Sequence, residues 1–318
     1  MSIQPSKFLI TIIILGGIAT VSTSSIFIRF ANQDAPSLVI AAYRLTLANI
    51  ILAPLALTRY RTELKNLNRQ ELLLGLFSGF FLALHFATWI SSLEYTSVAS
   101  SVVLVTTTPL WVAILSPLIL REFNGKPVII GMLLALFGGG IIGVSDSCIW
   151  QNGLTCPPIS SFIRGSTFTG DLLALCGALM AAGYIMIGRR LRSKISLIPY
   201  IFVVYGVAAI TLLIILVFSG ERLFGYMPLT YFWILLMAIF PQLLGHSIFN
   251  WALRYLPASL VSITLLGEPI GSSVLAYLIL KESPTFFKIV GGILILTGIY
   301  IASIKQNNTD QDRMAFNE

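Results

Sequence analysis

Residues 93–122 read LEYTSVASSVVLVTTTPLWVAILSPLILRE, and residues 265–282 read LLGEPIGSSVLAYLILKE. A shift of 160 residues lays the second stretch on the end of the first and pairs Pro109 with Pro269. The same shift pairs residues along the whole chain: Gly17 with Gly177, Arg29 with Arg189, Leu93 with Leu253, Tyr95 with Tyr255, Glu122 with Glu282, Gly131 with Gly291 and Gly138 with Gly298. Self-similarity at one fixed shift, including Pro, Tyr, Glu and Gly, indicates an internal duplication.

The duplicated chain is too apolar for a soluble protein. Of its 318 residues, 56% are hydrophobic and only 10% are charged, and the mean hydropathy is +0.89. The charges cluster between uncharged runs that approach or exceed the roughly 20 residues needed to cross a bilayer. Composition therefore excludes a disordered chain, a collagen-like chain and a secreted disulfide scaffold. It predicts an all-α membrane protein.

Apolar runs of helical length predict ten transmembrane helices. They cover residues 8–29, 38–57, 71–93, 97–120, 127–145, 170–190, 199–219, 230–253, 257–280 and 286–304. A polar stretch separates two sets of five, which predicts a first five-helix repeat at 1–145, an external loop at 146–169, a second five-helix repeat at 170–305 and a cytosolic polar tail at 306–318. Because five is odd, the second copy enters the membrane from the opposite side, so we expect two inverted repeats.

Lysine and arginine predict the orientation. With a cytosolic N-terminus, 14 of them lie inside and 5 outside, and Arg44 lies within a helix. Since short cytosolic loops carry the excess of positive charge, both termini are expected in the cytosol. The formal charge of +7 thus reflects the topology of the chain. The sequence has no basic patch on a soluble element, so we expect no binding to nucleic acid. We expect a multi-pass protein of the plasma membrane, which is the inner membrane in a bacterium.

Several motifs resemble one family over almost the whole chain. They are Leu-Gly-Glu-Pro at 266–269, Thr-Pro-Leu-Trp at 108–111, Tyr43-Arg44, and the Arg-Glu and Lys-Glu that end the two quoted stretches. With the GGILILTGIYIAS that follows at 291–303, they resemble the EamA-type transporters of the drug/metabolite transporter superfamily. The resemblance implies a ten-helix inverted repeat with cytosolic termini and the export or uptake of small metabolites or drugs. The first helix departs from the pattern, because it reads IATVSTSS where many relatives carry Trp, and this leaves the solute open.

Polar side chains inside the spans are few and follow helical spacing. Gln242, His246 and Asn250 lie at i, i+4 and i+8, and an aromatic stripe on the third helix runs Phe77, Phe81, His85, Trp89. Polar groups are costly in lipid, so such stripes predict a shared water-accessible cavity. The predicted lining is Glu268, His246, Gln242, Asn250, His85, Trp89, Thr108 and Tyr184.

Two charged residues within spans have alternative interpretations. Arg44 is expected to snorkel or to form a structural ion pair with a carboxylate such as Glu94, unless it joins the cavity. Glu268 is the only carboxylate in the middle of a span, which makes it the candidate proton carrier. Alternatively, Glu268 only satisfies backbone groups freed by Pro269, and each histidine only packs.

Other chemistries lack their motifs. The sequence has no G-x-x-x-x-G-K-[ST], H-E-x-x-H or G-x-S-x-G, and its two His and three Cys do not form a zinc pattern. We therefore expect no cofactor, no metal site and no enzyme. A proximity-based disulfide between Cys148 and Cys156 stays open, while Cys176 is placed in the sixth helix.

The sequence predicts a secondary transporter, more specifically an exporter, that works by alternating access. The expected partners are a small organic solute, the lipid bilayer, protons and a second copy of the chain. Two alternatives stay open: an uncoupled facilitator or channel-like permease, and an intramembrane enzyme with Glu268 and His246 as its dyad.

Overall fold

The computed structural model describes residues 5–96, 101, 104–147, 149–150, 154–155, 166–281 and 286–304. Within these residues the protein is helical, apart from an antiparallel pair of two-residue strands, β1 (Ile149–Trp150) and β2 (Leu154–Thr155). The helices of the first half are α1 (Lys7–Val21), α2 (Thr23–Ala31), α3 (Ser37–Thr58), α4 (Arg61–Lys65), α5 (Arg69–Tyr95), α6 (Thr108–Ile119) and α7 (Lys126–Ser147).

The second half continues with helices of the same kind. They are α8 (Ser166–Arg192), α9 (Leu197–Ser219), α10 (Pro228–Met237), α11 (Ser247–Ala252), α12 (Ala258–Thr264), α13 (Glu268–Leu280) and α14 (Phe286–Ile304). A π-helix (Ala238–His246) joins α10 to α11, and a 3₁₀ turn (Leu265–Gly267) joins α12 to α13. Cys176 lies in α8 as expected, whereas Cys148 and Cys156 lie outside the described residues.

Seven helical stretches of the described chain are long and apolar enough to cross a membrane. They are Phe8–Ala31, Ser37–Thr58, Arg69–Tyr95, Phe168–Arg192, Leu197–Ser219, Pro228–Ala252 and Ala258–Ile279. Three shorter apolar helices, Thr108–Ile119, Lys126–Ile141 and Ile289–Ala302, fall within the remaining predicted spans. The all-α membrane class is therefore confirmed, and ten crossings stay a prediction.

The distribution of polarity is the reverse of that in a soluble protein. Large apolar side chains are exposed on the outside, among them Phe218 (86%) and Leu118 (78%), while Arg44 and Gln242 are fully buried. In water, an apolar surface of this extent would aggregate, whereas in lipid it is the favoured outer face. The polar groups of the spans are accordingly gathered inside.

Local sequence sets where the helices begin and break. The amide of Glu71 donates to Asn68 Oδ1 (2.8 Å) and the amide of Asn68 donates to Glu71 Oε2 (3.1 Å), a capping box that starts α5. Ser22, at the break between α1 and α2, donates its hydroxyl to the carbonyls of Ile18 (2.7 Å) and Glu268 (3.3 Å). The hydrogen bond to the Glu268 carbonyl holds the first predicted span against the start of α13.

Glycines bring α7 and α14 into close contact. Gly131 lies against Gly298 and Gly138 against Gly291, and a Cβ on Gly131 would lie 2.9 Å from the amide nitrogen of Ala302. Going along α7 from Gly131 to Gly138, the contacted residue moves back along α14 from Gly298 to Gly291, so the two helices run antiparallel. Small residues at such crossings let transmembrane helices approach through their backbones.

Candidate functional site

A cavity of about 820 Å³, its open mouth included, lies between the two halves of the chain. Its walls come from α1, α2, α5 and α6 on one side and from α8, the π-helix, α11, α12 and α13 on the other. The structure brings seven of the eight predicted lining residues to it: His85, Trp89, Thr108, Tyr184, His246, Asn250 and Glu268.

Glu268 stands where the ninth predicted span is interrupted. The 3₁₀ turn ends at Gly267, and α13 begins with Glu268 followed by Pro269, which has no amide proton to donate. The Leu265 carbonyl, which Pro269 leaves without its helical partner, accepts the amide of Glu268 instead, so the backbone of this junction does not need the Glu268 side chain. The carboxylate is partly exposed to the cavity and has no hydrogen-bonded or ion-paired partner in the described part of the chain.

An aromatic wall faces this carboxylate from the first half. The rings of His85 and Trp89 stack with centroids 5.8 Å apart and an interplanar angle of 12°. His85 Nδ1 lies 3.0 Å from the carbonyl oxygen of Gly177. Since a carbonyl can only accept, Nδ1 carries the hydrogen and Nε2 of the neutral ring is left as an acceptor. Phe77, which the stripe placed on the same face, is instead 56% exposed on the outer surface.

The second half contributes a hydrogen-bonded chain of side chains. The Tyr184 hydroxyl donates to Asn250 Oδ1 (2.7 Å), and Asn250 Nδ2 donates to the Tyr205 hydroxyl (3.4 Å). Tyr205 in turn lies 3.2 Å from the Ser247 hydroxyl. Each of these buried polar groups has a partner, so this wall is held rigidly.

Thr108 begins α6 and lines the cavity from the first half. Its hydroxyl donates to the carbonyls of Val105 (2.8 Å) and Ala178 (3.3 Å), which ties α6 to α8. His246 completes the lining with an edge contact to Phe86, at 5.4 Å between ring centroids.

Arg44 lies beside the cavity, fully buried. Its Nε donates to Gln242 Oε1 (2.9 Å), its Nη1 donates to the Ser24 hydroxyl (3.1 Å), and its Cζ lies 4.4 Å from the centre of the Phe86 ring. Ser24 is itself a cavity residue, so Arg44 supports the wall from behind.

The expected ion pair between Arg44 and Glu94 is wrong. Glu94 Oε1 accepts the amide of Ser37 (3.1 Å) and so caps the start of α3. Arg44 turns into the helix bundle, where an amide, a hydroxyl and a ring meet its donors, rather than towards the membrane surface.

Gln242 does not line the cavity, which corrects its placement from the sequence. The expected i, i+4, i+8 stripe assumes an α-helix, but Ala238–His246 is a π-helix, in which bonds run from i to i+5 and each turn is wider. Within this helix the Gln242 side chain is engaged by Arg44, whose Nε donates to Gln242 Oε1 (2.9 Å).

Polar contributors to the cavity were missed from the sequence, among them Thr106 and Ser262 of the lining. Ser24 lines the cavity and Tyr205 holds Asn250, yet neither belongs to a polar stripe. For Tyr205 a signal existed, because a tyrosine hydroxyl in so apolar a helix as α9 needs a buried partner.

The chain is similar to a family of membrane transporters and to a protein of known structure. The model of the EamA-like transporter family matches twice, at residues 8–144 and 168–304. An uncharacterized transporter of Archaeoglobus fulgidus is 24% identical over 288 residues, which cover 89% of this chain and 93% of that protein. The uncharacterized transporter YetK of Bacillus subtilis is 26% identical over 219 residues, or 68% of this chain and 63% of YetK. A protein of known crystal structure has the same fold, with a TM-score of 0.74 at 16% identity over 94% of this chain and 98% of that one.

Proposed function

This chain belongs to the EamA-like transporter family, and from that premise we propose that it is a secondary transporter that moves a small organic solute by alternating access. Its relatives are named as transporters, so the chain is a membrane transporter and not an enzyme. The intramembrane dyad of Glu268 and His246 is thereby set aside.

Alternating access requires two halves that can adopt each other's conformation. Equivalent contacts between helices in the two repeats support such an exchange. Gly177 packs on residues 88–89, and Gly17 packs on residues 248–249. A shift of 160 residues converts the first contact into the second. The cavity wall formed by α5 and α8 thus has a counterpart formed by the first and eighth predicted spans.

The crossing of α7 and α14 supports an axis in the membrane plane. The shift pairs Gly131 with Gly291 and Gly138 with Gly298, whereas the contacts join Gly131 to Gly298 and Gly138 to Gly291. Across a two-fold axis, if one residue contacts the equivalent of a second, then the second contacts the equivalent of the first, which is the pattern of these four glycines. Since the helices are antiparallel, that axis is perpendicular to them, as inverted repeats require.

Glu268 in a cavity built by both halves is the observation that carries the proposal. Among the described residues this carboxylate has no hydrogen bond or ion pair, although the charge of Arg44 acts on it from nearby. It can therefore bind a proton or a cationic solute when the cavity opens to one side, and release it on the other. Proton coupling, export as the direction, the cytosolic termini and the plasma membrane belong to the same proposal. Assembly as a homodimer is part of the same proposal.

Transport in reconstituted vesicles tests the role of Glu268. Screening an overexpressing strain against amino acids, nucleosides and drugs first supplies a solute, whose labelled form is then followed in vesicles with an imposed pH gradient. We expect Glu268→Gln to abolish accumulation driven by the gradient while solute exchange persists. Glu94→Gln, which keeps the acceptor that caps α3, serves as the control and should still accumulate solute. Unchanged accumulation in a folded Glu268→Gln protein would exclude the coupling role, and a wild type that only equilibrates solute would favour the facilitator.

A further inference from the structure

The two halves are also joined by an ion pair at the end of the cavity that the charge distribution assigns to the cytosol. Arg189 Nε donates to Glu122 Oε1 at 2.7 Å, and about a quarter of each side chain is exposed. Arg189 Nη1 also donates to the carbonyl of Leu253 (2.8 Å). Glu122 Oε2 accepts the amide of Ala258 (3.2 Å), at the start of α12. We call Glu122, Arg189 and the backbone groups of Leu253 and Ala258 the ionic clamp.

The clamp adjoins the cavity directly. Leu253, whose carbonyl it binds, lines the cavity, and α12 continues from Ala258 into the lining residue Val261. On the other side, α6 begins at the lining residue Thr108 and ends just before Glu122. At this end of the cavity the clamp therefore joins the first half, which supplies Glu122, to the second half, which supplies its partners.

The backbone before Glu122 is shaped for this contact. Arg121 has a φ of 57°, a left-handed conformation that is uncommon for a residue with a side chain. The resulting turn lets the amide of Glu122 donate to the Ser116 carbonyl (3.4 Å) and directs the carboxylate to α8 and α12. Locally unfavourable backbone persists where tertiary contacts over-determine it, and such positions cluster at switch regions.

We propose that the ionic clamp is the gate that closes the cavity on the cytosolic side, and that its breaking opens the cavity to that side. The inference rests on the proposed alternating access. The pair is strong enough to hold the halves together, because the same carboxylate also accepts the amide of Ala258. It is weak enough to break in each cycle, because a partly exposed ion pair contributes little beyond its hydrogen bonds.

Thiol labelling tests the gate without any transported solute. Cys148, Cys156 and Cys176 are changed to Ser, and Val261→Cys supplies the only thiol, at the cavity end next to the clamp. A membrane-impermeant thiol reagent is applied to inside-out and to right-side-out vesicles. We expect Arg189→Gln and Glu122→Gln each to raise the labelling rate from the cytosolic face about fivefold, the population shift that corresponds to ~1 kcal/mol.

The matched control is Arg190→Gln, since Arg190 is the next residue of α8 and its side chain is exposed. It should leave labelling unchanged from both faces. Equal labelling in Arg189→Gln, Glu122→Gln and the parent would overturn the gate. Faster labelling from the cytosolic face in vesicles that transport nothing would uphold the clamp and reject the proposed transport function instead.

Chemical cross-linking gives a second test, which does not depend on whether the Arg189→Gln and Glu122→Gln proteins fold. Glu122→Cys and Ala258→Cys place one thiol on each side of the clamp, and a cleavable bifunctional thiol reagent links the two in the folded protein. We expect the link to stop solute transport and labelling of the cavity from the cytosolic face, and reductive cleavage to restore both. Cytosolic access that survives complete linking would contradict the gate.

Discussion

At the scale of single residues, Arg44 is distinctive because the groups that contact this buried cation are neutral, while the Glu268 carboxylate acts on it from a longer distance. An amide oxygen, a hydroxyl and an aromatic face share the guanidinium, and in the described chain no carboxylate forms an ion pair with it. A planar fork can meet all three at once, whereas an ammonium is a single point of charge. The site is therefore specific for arginine.

Arg44→Lys should accordingly destabilise the protein by about 1–3 kcal/mol, through lost hydrogen bonds and the lost contact with the Phe86 ring. Unfolding by SDS in detergent micelles measures the difference. Arg190→Lys, an exposed change of the same kind, should lie within about 0.5 kcal/mol of the wild type. Equal stability of both variants would show that a simple positive charge suffices at position 44.

At the scale of elements, Asp34 fixes the beginning of α10. Its Oδ2 accepts the amide of Met227 (2.6 Å) and the hydroxyl of Thr230 (2.8 Å), across the loop between the first two predicted spans and the start of the eighth. Hydrogen bonds from the Met227 amide and the Thr230 hydroxyl lower the pKa of Asp34 from its usual value. A carboxylate at this end of a helix also complements its dipole.

This cap predicts a pH dependence with a definite sign. Because the folded-state pKa of Asp34 lies below the unfolded one, its contribution to stability is complete above the unfolded pKa and is lost as the pH falls through the folded pKa. Asp34→Ala should thus lower the thermal midpoint at pH 7, and the gap to the wild type should close on acidification. A gap that is the same at pH 7 and at acid pH would exclude the charged cap, and Asp34→Asn separates charge from hydrogen bonding.

At the scale of the whole molecule, the crossing of α7 and α14 joins the two halves through close backbone contacts at glycines. A Cβ at Gly131 would meet the Gly298 carbonyl and the Ala302 backbone, whereas a Cβ at Gly140, on the same helix, would meet nothing within 4 Å. Gly131→Ala should therefore destabilise the protein by about 1–3 kcal/mol, the usual range for overpacking. Gly140→Ala should be neutral or slightly stabilising, since alanine favours the helix.

The same unfolding measurement compares these two alanine variants. A stable Gly131→Ala protein would mean that α7 and α14 can separate without cost, and that the crossed contacts do not hold the repeats together. A loss of stability in Gly140→Ala alone would reverse the assignment of the packed face.

The sequence by itself determined the membrane class and the duplication. Burying so apolar a chain requires lipid, and a fixed shift of 160 residues is visible without coordinates. The helical stripe of His85 and Trp89, and the isolated carboxylate Glu268, also pointed inward, because lipid penalises polar groups. These are properties of composition and of α-helical periodicity.

Only the tertiary structure decided which polar groups meet. Gln242 lies outside the cavity lining and bonds to Arg44 from Ala238–His246, a π-helix that apolar periodicity does not predict. Arg44 found Gln242, 198 residues away, instead of Glu94, and Glu122 found Arg189, 67 residues away. The reason is physical: helix patterning fixes the face that a side chain occupies, whereas its partner depends on how distant helices cross and on where their ends come together.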